Sequence, residues 1–219
     1  MNARSSFRDD LKQLVEELML MGGLVEQSIS KSVRSLREQN LELAQTVIDE
    51  DQKIDDMELA IEERCLTLIA RQQPLAVDLR KIATVLKIIT DLERIADHAS
   101  DIAKITLRIG DEPLIKPLVD IPRMSGMVCT MVANALDCFI NADVEMAYEV
   151  CKDDDEVDQL HNQIIRELLT YMMEEPRNIR QATQLLFVSS YLERIGDHAT
   201  NLGEWLIYMV TGERKELND

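Results

Sequence analysis

The residues with the clearest chemical potential are acidic pairs in a segment that the chain carries twice. The first copy reads DLERIADHASD, and the second, one hundred residues later, reads YLERIGDHATN. Each copy places a glutamate and an aspartate four residues apart, at Glu93 and Asp97 and again at Glu193 and Asp197. A segment repeated at one long spacing is typical of a duplicated structural unit. The sequence therefore predicts two related halves, each with its own acidic pair.

A second set of acidic pairs repeats in the same way. Asp51 and Asp55 correspond to Asp154 and Asp158 at an offset of 103 residues, whereas the LERI segments are offset by 100. The difference of three residues falls in the turn between the two helices concerned, where length changes are tolerated best. Residues four apart on a helix lie on one face. Each half should therefore carry two helices with one acidic face each.

These acidic faces continue apolar stripes. Counting back from Glu93 in steps of three or four residues reaches only leucine and isoleucine. On the helix of Asp51, acidic side chains continue along the same face at Glu58 and Glu62, and apolar residues follow. Because apolar stripes pack into a core, we expect the carboxylates to face inward. Buried carboxylates are costly unless they pair with cations or bind a metal, so the pattern indicates metal sites.

The candidate metal ligands include oxygen donors in both halves and one histidine. They are Asp51, Asp55, Glu58, Glu62, Glu93, Asp97 and Asp101 in the first half, and Asp154, Asp158, His161, Glu193, Asp197 and Asn201 in the second. Such ligands suit iron, manganese, magnesium, calcium or carboxylate-bound zinc. The second half replaces three acidic groups by histidine, isoleucine and asparagine, so we expect weaker metal binding there or a different nuclearity. The nearby His98 and His198 are predicted to be packed, hydrogen-bonded residues rather than ligands.

A solvated acidic surface is the alternative explanation. A single acidic pair on a helix is usually a solvated face or half of a surface salt bridge. Arg94 and Arg194 could serve as counter-ions, although each lies about 100° round the helix from its neighbouring glutamate. Two matching pairs in each half, repeated twice, favour metal binding over this alternative.

The fold class follows from the amino-acid composition and from the scarcity of glycine and proline. Aromatic residues make up only 4% of the chain, which has 7 glycines and 5 prolines, so there is little material for the turns of a β fold. The sequence predicts an all-α protein of two tandem three-helix bundles, six long helices in all. The predicted divisions are a first bundle over residues 1–110, a proline-rich connector over 111–122, a second bundle over 123–212 and a flexible tail over 213–219.

Charge and cysteine content limit the possible partners and the cellular compartment of the protein. The formal net charge is −17, which repels phosphate backbones and argues against nucleic acid as a partner. Four cysteines without a C-x-x-C pair indicate a reducing compartment. The N-terminal residues lack the apolar core of a signal peptide, and no apolar run reaches the roughly 18 residues of a membrane span. We therefore expect a cytoplasmic protein.

In these motifs the sequence resembles the PhoU family of phosphate-uptake regulators. The resemblance rests on the doubled E/D-x-x-x-D pairs, the LERI(A/G)DHA segments and the run QPLAVDLRKIATVLKIITDLERIADH, and it covers essentially the whole chain. It implies two three-helix bundles that, in some members, carry multinuclear clusters of iron or other metals on the paired motifs. It also implies a cytoplasmic regulator that restrains the phosphate ABC transporter, at its ATPase subunit, and a sensor histidine kinase. Contact with the membrane would then be only through these partners, and many members are homodimers.

Three functions compete. The first is a non-enzymatic regulatory adaptor with metal sites, because nothing in the sequence resembles a nucleotide-binding loop, a nucleophile elbow or a kinase signature. The second is a carboxylate-bridged di-metal enzyme, which typically needs two Glu-x-x-His motifs, whereas this chain offers only Asp158-x-x-His161 and has Glu58 at the matching position. The third is a metal-free helical scaffold. We favour the first because the resemblance and the pattern of acidic residues agree.

Overall fold

The computed structural model describes residues 3–217 and confirms the all-α prediction. The helices are α1 (Ala3–Glu38), α2 (Leu41–Gln72), α3 (Val77–Ile109), α4 (Asp120–Asn141), α5 (Val144–Glu174) and α6 (Ile179–Thr211), with one 3-10 turn at Pro176–Asn178. No strand occurs within residues 3–217, and none of the helices there is long and apolar enough to cross a membrane.

The six helices form two three-helix bundles that share one core. Within each half, α1–α3 or α4–α6, every helix packs against the other two. The halves meet where α3 packs on α6 and α1 packs on α4, and the α3–α6 contact is the most extensive in the molecule. A continuous apolar cluster runs through both halves and includes Leu18, Leu92, Phe139 and Leu192. The motif helices α3 and α6 therefore lie side by side at the centre.

Local sequence signals explain where the second helix of each half begins. Asn40 accepts a hydrogen bond from the Leu43 N–H at 2.9 Å, and Asp143 accepts one from the Met146 N–H at 3.1 Å. Each side chain satisfies one of the backbone donors that a helix N-terminus leaves without an intrahelical partner. At the far end, Gly212 terminates α6 with a φ of +78°, which glycine adopts readily.

The connector and the tail are anchored to the second bundle. The buried Gln181 accepts a hydrogen bond from the Ile115 N–H at 2.6 Å and donates one to the Pro113 carbonyl at 3.1 Å. After α6, the Lys215 amine donates to the Tyr148 hydroxyl at 2.6 Å. The flexibility expected for residues 213–219 stays a prediction, and its last two residues lie outside the described part of the chain.

Candidate functional site

The acidic residues gather in two grooves, one in each half. The first groove lies between α2 and α3, and we call its seven candidate ligands the first acidic cluster. The second groove lies between α5 and α6, and its six candidates form the second acidic cluster. Residues on facing helices come close: the carboxylates of Glu58 and Asp55 on α2 act on Glu93 of α3. In the second groove, Asp158 of α5 acts on Glu193 and Asp197 of α6.

Apart from the buried Asp154, the carboxylates line the rim of each groove and do not face the core as the stripe analysis predicted. The buried stripe of α2 runs through Ile54, Ile61 and Leu68, whereas Glu62 is exposed and Leu66 is 55% exposed. Counting residues along α2 placed the acidic face in line with Leu66 and Ile69, but the buried stripe is rotated about the helix axis relative to that line. Most acidic groups consequently lie half-buried, at the boundary between core and solvent.

Negative charge in the first cluster is only partly compensated. Burial raises the pKa of Asp51, and the charges of Asp97 and Asp55 raise it further, against the lowering effect of the nearby Ser100 hydroxyl. Burial likewise raises the pKa of Glu93, with Asp97 as the next cause. The Oδ1 atom of Asp51 is buried and has no hydrogen-bond partner. Burial and the neighbouring negative charges disfavour the ionised form, and a bound cation would offset them.

Two basic residues of α3 contact the first cluster. Arg94 contacts both carboxylates of its motif. Its Nε atom lies 3.4 Å from Glu93 Oε2, and its Nη1 atom lies 3.1 Å from Asp97 Oδ2. The sequence-based expectation that Arg94 is poorly placed as a counter-ion was therefore wrong, because its long side chain reaches both carboxylates. Lys104 holds Asp101 in an ion pair at 2.8 Å. Such exposed pairs contribute about 1 kcal/mol or less, so they leave the charge of the groove largely in place.

Asp154 is the most deeply placed carboxylate of the second cluster. Its residue is only 8% exposed, and its Oδ1 atom is buried without a hydrogen-bond partner. Burial, followed by the charges of Asp197 and Asp158, raises the pKa of Asp154 to about 7, against the lowering effect of the nearby Thr200 hydroxyl. Gly196 makes this position possible, because a Cβ on Gly196 would lie 2.5 Å from that Oδ1 atom. The first half has Ala96 at the matching position and holds Asp51 less deeply.

The role of Gly196 was missed by sequence reasoning, although a signal was present. A glycine inside a helix costs about 1 kcal/mol relative to alanine, and one use of such a glycine is to admit the close approach of another group. Gly196 stands where the otherwise similar first copy of the motif has Ala96. That difference between the two copies marks the place where the second groove is deeper.

His161 lies in the second groove, one turn beyond Asp158 on α5. Its Nδ1 atom forms a hydrogen bond with the hydroxyl of Ser189 on α6. Burial lowers the pKa of His161, against the raising effect of Asp158. The ring is therefore favoured in its neutral form, which can bind a metal through a nitrogen lone pair.

Asn201, one of the six candidates of the second cluster, contacts α3 instead of the other candidates. Its amide donates to Asp91 Oδ1 on α3 at 3.3 Å, and the His198 Nδ1 atom lies 2.9 Å from the same oxygen. His98 stacks on Tyr191 with ring centroids 5.5 Å apart, and burial lowers the pKa of His98 to about 4. These four side chains and Asp91 belong to the seam between the halves. They confirm the packing expected for both histidines and the hydrogen bond expected for His198, whereas the buried His98 Nδ1 atom has no hydrogen-bond partner.

The donor chemistry of the clusters fits a cation, although the ligand sets are not closed. As the side chains are placed, no group of three or more His, Cys, Asp or Glu residues within 3–217 is arranged to hold a metal ion. The unpartnered oxygens of Asp51 and Asp154, and the mutual repulsion that raises the pKa of their neighbours, are nevertheless the features that a cation would relieve. Side-chain rotations about fixed helices would be needed to complete either site.

Comparison with known proteins gives consistent similarities over both halves. A family model described as PhoU domain matches residues 18–106 and again residues 121–206. The phosphate-specific transport system accessory protein PhoU homolog of Clostridium acetobutylicum is 44% identical over 217 residues, 99% of each chain. The homolog of the same name from Aquifex aeolicus is 44% identical over 93% of this chain and 92% of its own. The crystal structure of PhoU from Pseudomonas aeruginosa superposes with a TM-score of 0.90 at 38% identity, covering 94% of this chain and all of that one.

Proposed function

The chain belongs to the PhoU family, and we propose on this basis that it is an accessory regulator of a phosphate-specific transport system. The observation that carries the proposal is 44% identity, over 99% of both chains, to a protein named as an accessory protein of that system. The two domain matches, 18–106 and 121–206, extend through both bundles. The similarity therefore covers the site grooves as well as the helical scaffold.

We further propose that the protein acts as a non-enzymatic adaptor. Its partners would be the ATPase subunit of the phosphate ABC transporter and the sensor histidine kinase of the phosphate regulon, and it would act as a cytoplasmic homodimer. The support is the resemblance of the motifs together with the names of the relatives, which describe accessory proteins of phosphate transport. Membrane association would then be indirect, through the transporter and the kinase.

The metal part of the proposal assigns an ion site to each groove, with iron as the first choice and zinc, manganese, magnesium or calcium as alternatives. In the first groove Asp51, Asp55, Glu93 and Asp97 would hold the ion, and the remaining acids of that cluster would extend the site. In the second groove the matching ligands are Asp154, Asp158, Glu193 and Asp197. A bound cation would offset the repulsion between the two helices of each groove and could attract phosphate directly.

The regulatory role can be tested in cells that lack the gene. Without the protein, we expect rapid phosphate uptake and an active phosphate-starvation reporter even in phosphate-rich medium, and we expect the wild-type chain to restore repression of both. If phosphate uptake and reporter activity are the same with and without the folded, expressed chain, the regulatory proposal is refuted.

The metal role has a separate readout. Elemental analysis of purified wild type, Glu93→Ala/Asp97→Ala and Glu193→Ala/Asp197→Ala should show stoichiometric metal that falls groove by groove. The exposed Asp155, next to the second cluster on α5, supplies the control Asp155→Asn, which should keep the wild-type metal content. Metal that is absent from wild type, or unaffected by both double variants, would refute the metal part alone.

A further inference from the structure

The outward side of α1 and α4 carries two matching rows of residues, which together we call the α1–α4 face. Residues within a row are three or four positions apart, so they lie on one side of their helix. Each member of one row matches a member of the other at the offset of 103 residues that relates the acidic pairs of α2 and α5. All ten are exposed or half-buried: Leu20, Gly23, Gln27, Ser30 and Arg34 on α1, and Arg123, Gly126, Thr130, Ala133 and Asp137 on α4.

The two halves of the molecule are related by an approximate twofold axis. In the seam between α3 and α6, His98 stacks on Tyr191. The matching His198 contacts Asp91, which occupies the position of Tyr191 in the first half. Reciprocal contacts of this kind, in which each residue meets the counterpart of the other's partner, are those of a twofold arrangement. The same axis relates the α1 row to the α4 row.

The α1 and α4 rows run in opposite directions. Arg34 and Gly126 line one groove of about 280 Å³ between the two helices. Farther along, the space beside Gly22 of α1 is filled by Leu136 of α4, the residue before Asp137. Arg34 and Asp137, which match each other in the repeat, therefore lie at opposite ends of the α1–α4 face.

The two ends of the α1–α4 face are complementary in charge and polarity. Three arginines are exposed at one end, which we call the basic end: Arg34, Arg37 and Arg123. Their counterparts at the other end are one carboxylate and two exposed apolar side chains, Asp137, Ile140 and Leu20. Within residues 3–217, neither Arg34 nor Asp137 forms an ion pair. One chain cannot bring its own two ends together, whereas a second copy supplies both complements at once.

Gly23 and Gly126 leave room on this face that the fold itself does not need. A Cβ added to either glycine would contact no other helix among the described residues within 4 Å. Glycine destabilises a helix interior relative to alanine, and one use of such a glycine is to admit the close approach of another backbone. The two glycines match each other in the repeat, so a surface that approaches with twofold symmetry would meet both.

We propose that the α1–α4 face is the surface through which two copies of the chain form a dimer, with Arg34 of each copy paired with Asp137 of the other. A twofold axis that lies in the face, perpendicular to the line from Arg34 to Asp137, exchanges the two ends. It therefore places the basic end of each copy on the acidic and apolar end of the other. The long stems of Arg37 and Arg123 would then cover Ile140 and Leu20.

Charge is the reason to favour a second copy as the occupant of this face. Each chain has a formal net charge of −17, so two copies repel one another except where cations of one meet carboxylates of the other. The basic end supplies such cations, and its twofold counterpart supplies the carboxylate. This inference rests on the homodimer part of the proposed function and adds to it the surface and the pairing.

The test is the dissociation constant of the full-length chain, measured by sedimentation equilibrium. Arg34→Asp and Asp137→Arg each replace attraction by repulsion at both ends of the interface, so each should weaken the dimer about tenfold or more. The double variant Arg34→Asp/Asp137→Arg reverses both charges and should restore dimerisation. The control is Arg166→Asp, which makes the same change of charge at an exposed arginine of α5 and should leave the dissociation constant unchanged.

A second variant tests the close approach of the two backbones. Gly23→Gln/Gly126→Gln adds side chains where the folded chain has open space, so helix content by circular dichroism and the melting temperature of the monomer should not fall. The dimer should nevertheless weaken, because the new side chains hold the two copies apart. A dissociation constant equal to that of wild type would overturn the close approach.

The outcomes distinguish this inference from the proposal beneath it. A wild-type dimer whose dissociation constant is unchanged by Arg34→Asp and by Asp137→Arg would overturn the interface and leave the homodimer standing on another surface. Failure of the folded double variant to recover would overturn the pairing of Arg34 with Asp137. A wild type that stays monomeric would overturn both the interface and the homodimer, and the uptake assay would still decide the regulatory role.

Discussion

Removal of the buried charge at Asp154 should stabilise the metal-free protein. The substitution Asp154→Asn keeps the shape of the side chain and abolishes its ionisation. The residue is 8% exposed, and burial together with the charges of Asp197 and Asp158 raises its pKa from 3.8 to about 7. The folded state therefore favours the protonated carboxyl group of Asp154. The free energy of unfolding is lower at every pH where this group is ionised.

The size and sign of the effect follow from the linkage between proton binding at Asp154 and unfolding. Between pH 3.8 and about 7 the folded state binds the proton and the unfolded state releases it, so stability falls as the pH rises through this window. One pKa unit corresponds to about 1.4 kcal/mol, which sets an upper bound of about 4 kcal/mol on the penalty above pH 7. We expect Asp154→Asn to raise the free energy of unfolding by about 2–4 kcal/mol at pH 8, and by about 1–2 kcal/mol at pH 5.

The assay is urea unfolding of metal-stripped protein at pH 8 and pH 5, followed by circular dichroism. The control is Asp155→Asn, which makes the same change of charge at an exposed neighbouring position and should change the free energy of unfolding by less than about 0.5 kcal/mol at either pH. Similar m-values in the three proteins would indicate that the unfolded states are comparable. An Asp154→Asn variant that is less stable than wild type at pH 8, or equally stabilised at both pH values, would refute the reasoning.

Added metal should reduce this difference in stability if the second groove is a metal site. An ion that binds only the folded state stabilises it in proportion to its affinity, by about 2.7 kcal/mol at a hundredfold excess over Kd. Asp154→Asn removes one ligand, so the variant should gain less from added metal than wild type does. Equal stabilisation of both proteins by saturating metal would exclude Asp154 as a ligand.

Three further predictions use other contacts. Gly196→Ala would place a Cβ 2.5 Å from Asp154 Oδ1, so the carboxylate should rotate outward and its pKa should fall toward 3.8, measured by an NMR pH titration; an unchanged pKa would contradict this. Asn40→Ala and Asp143→Ala each remove an N-cap acceptor and should each lower the free energy of unfolding by about 1 kcal/mol in urea titrations. Gln181→Leu removes both hydrogen bonds to the connector, so it should cost about 1–3 kcal/mol and speed hydrogen exchange there, and unchanged exchange would count against the anchoring role.

Much of the fold could be predicted from local signals in the sequence. Helical periodicity, scarce turn residues and the capping residues Asn40 and Asp143 act within a few positions of the chain, so they indicate helix number and helix starts without any tertiary information. The repeated motifs likewise predicted which helices of the two halves match. Each of these signals depends on backbone geometry that a helix imposes on its own residues.

The arrangement of the candidate site depended on neighbouring helices. Periodicity gives the angle of a residue about its own helix axis, but burial depends on how that helix is rotated against its neighbours, which is why Leu66 proved exposed and the acids line a rim. The engagement of Asn201 with Asp91, the contact of His161 with Ser189 and the depth of Asp154 all join residues of different helices. Sequence alone therefore determined which groups each helix carries, and tertiary packing decided which of them meet, because side-chain contacts between helices are set by packing rather than by periodicity.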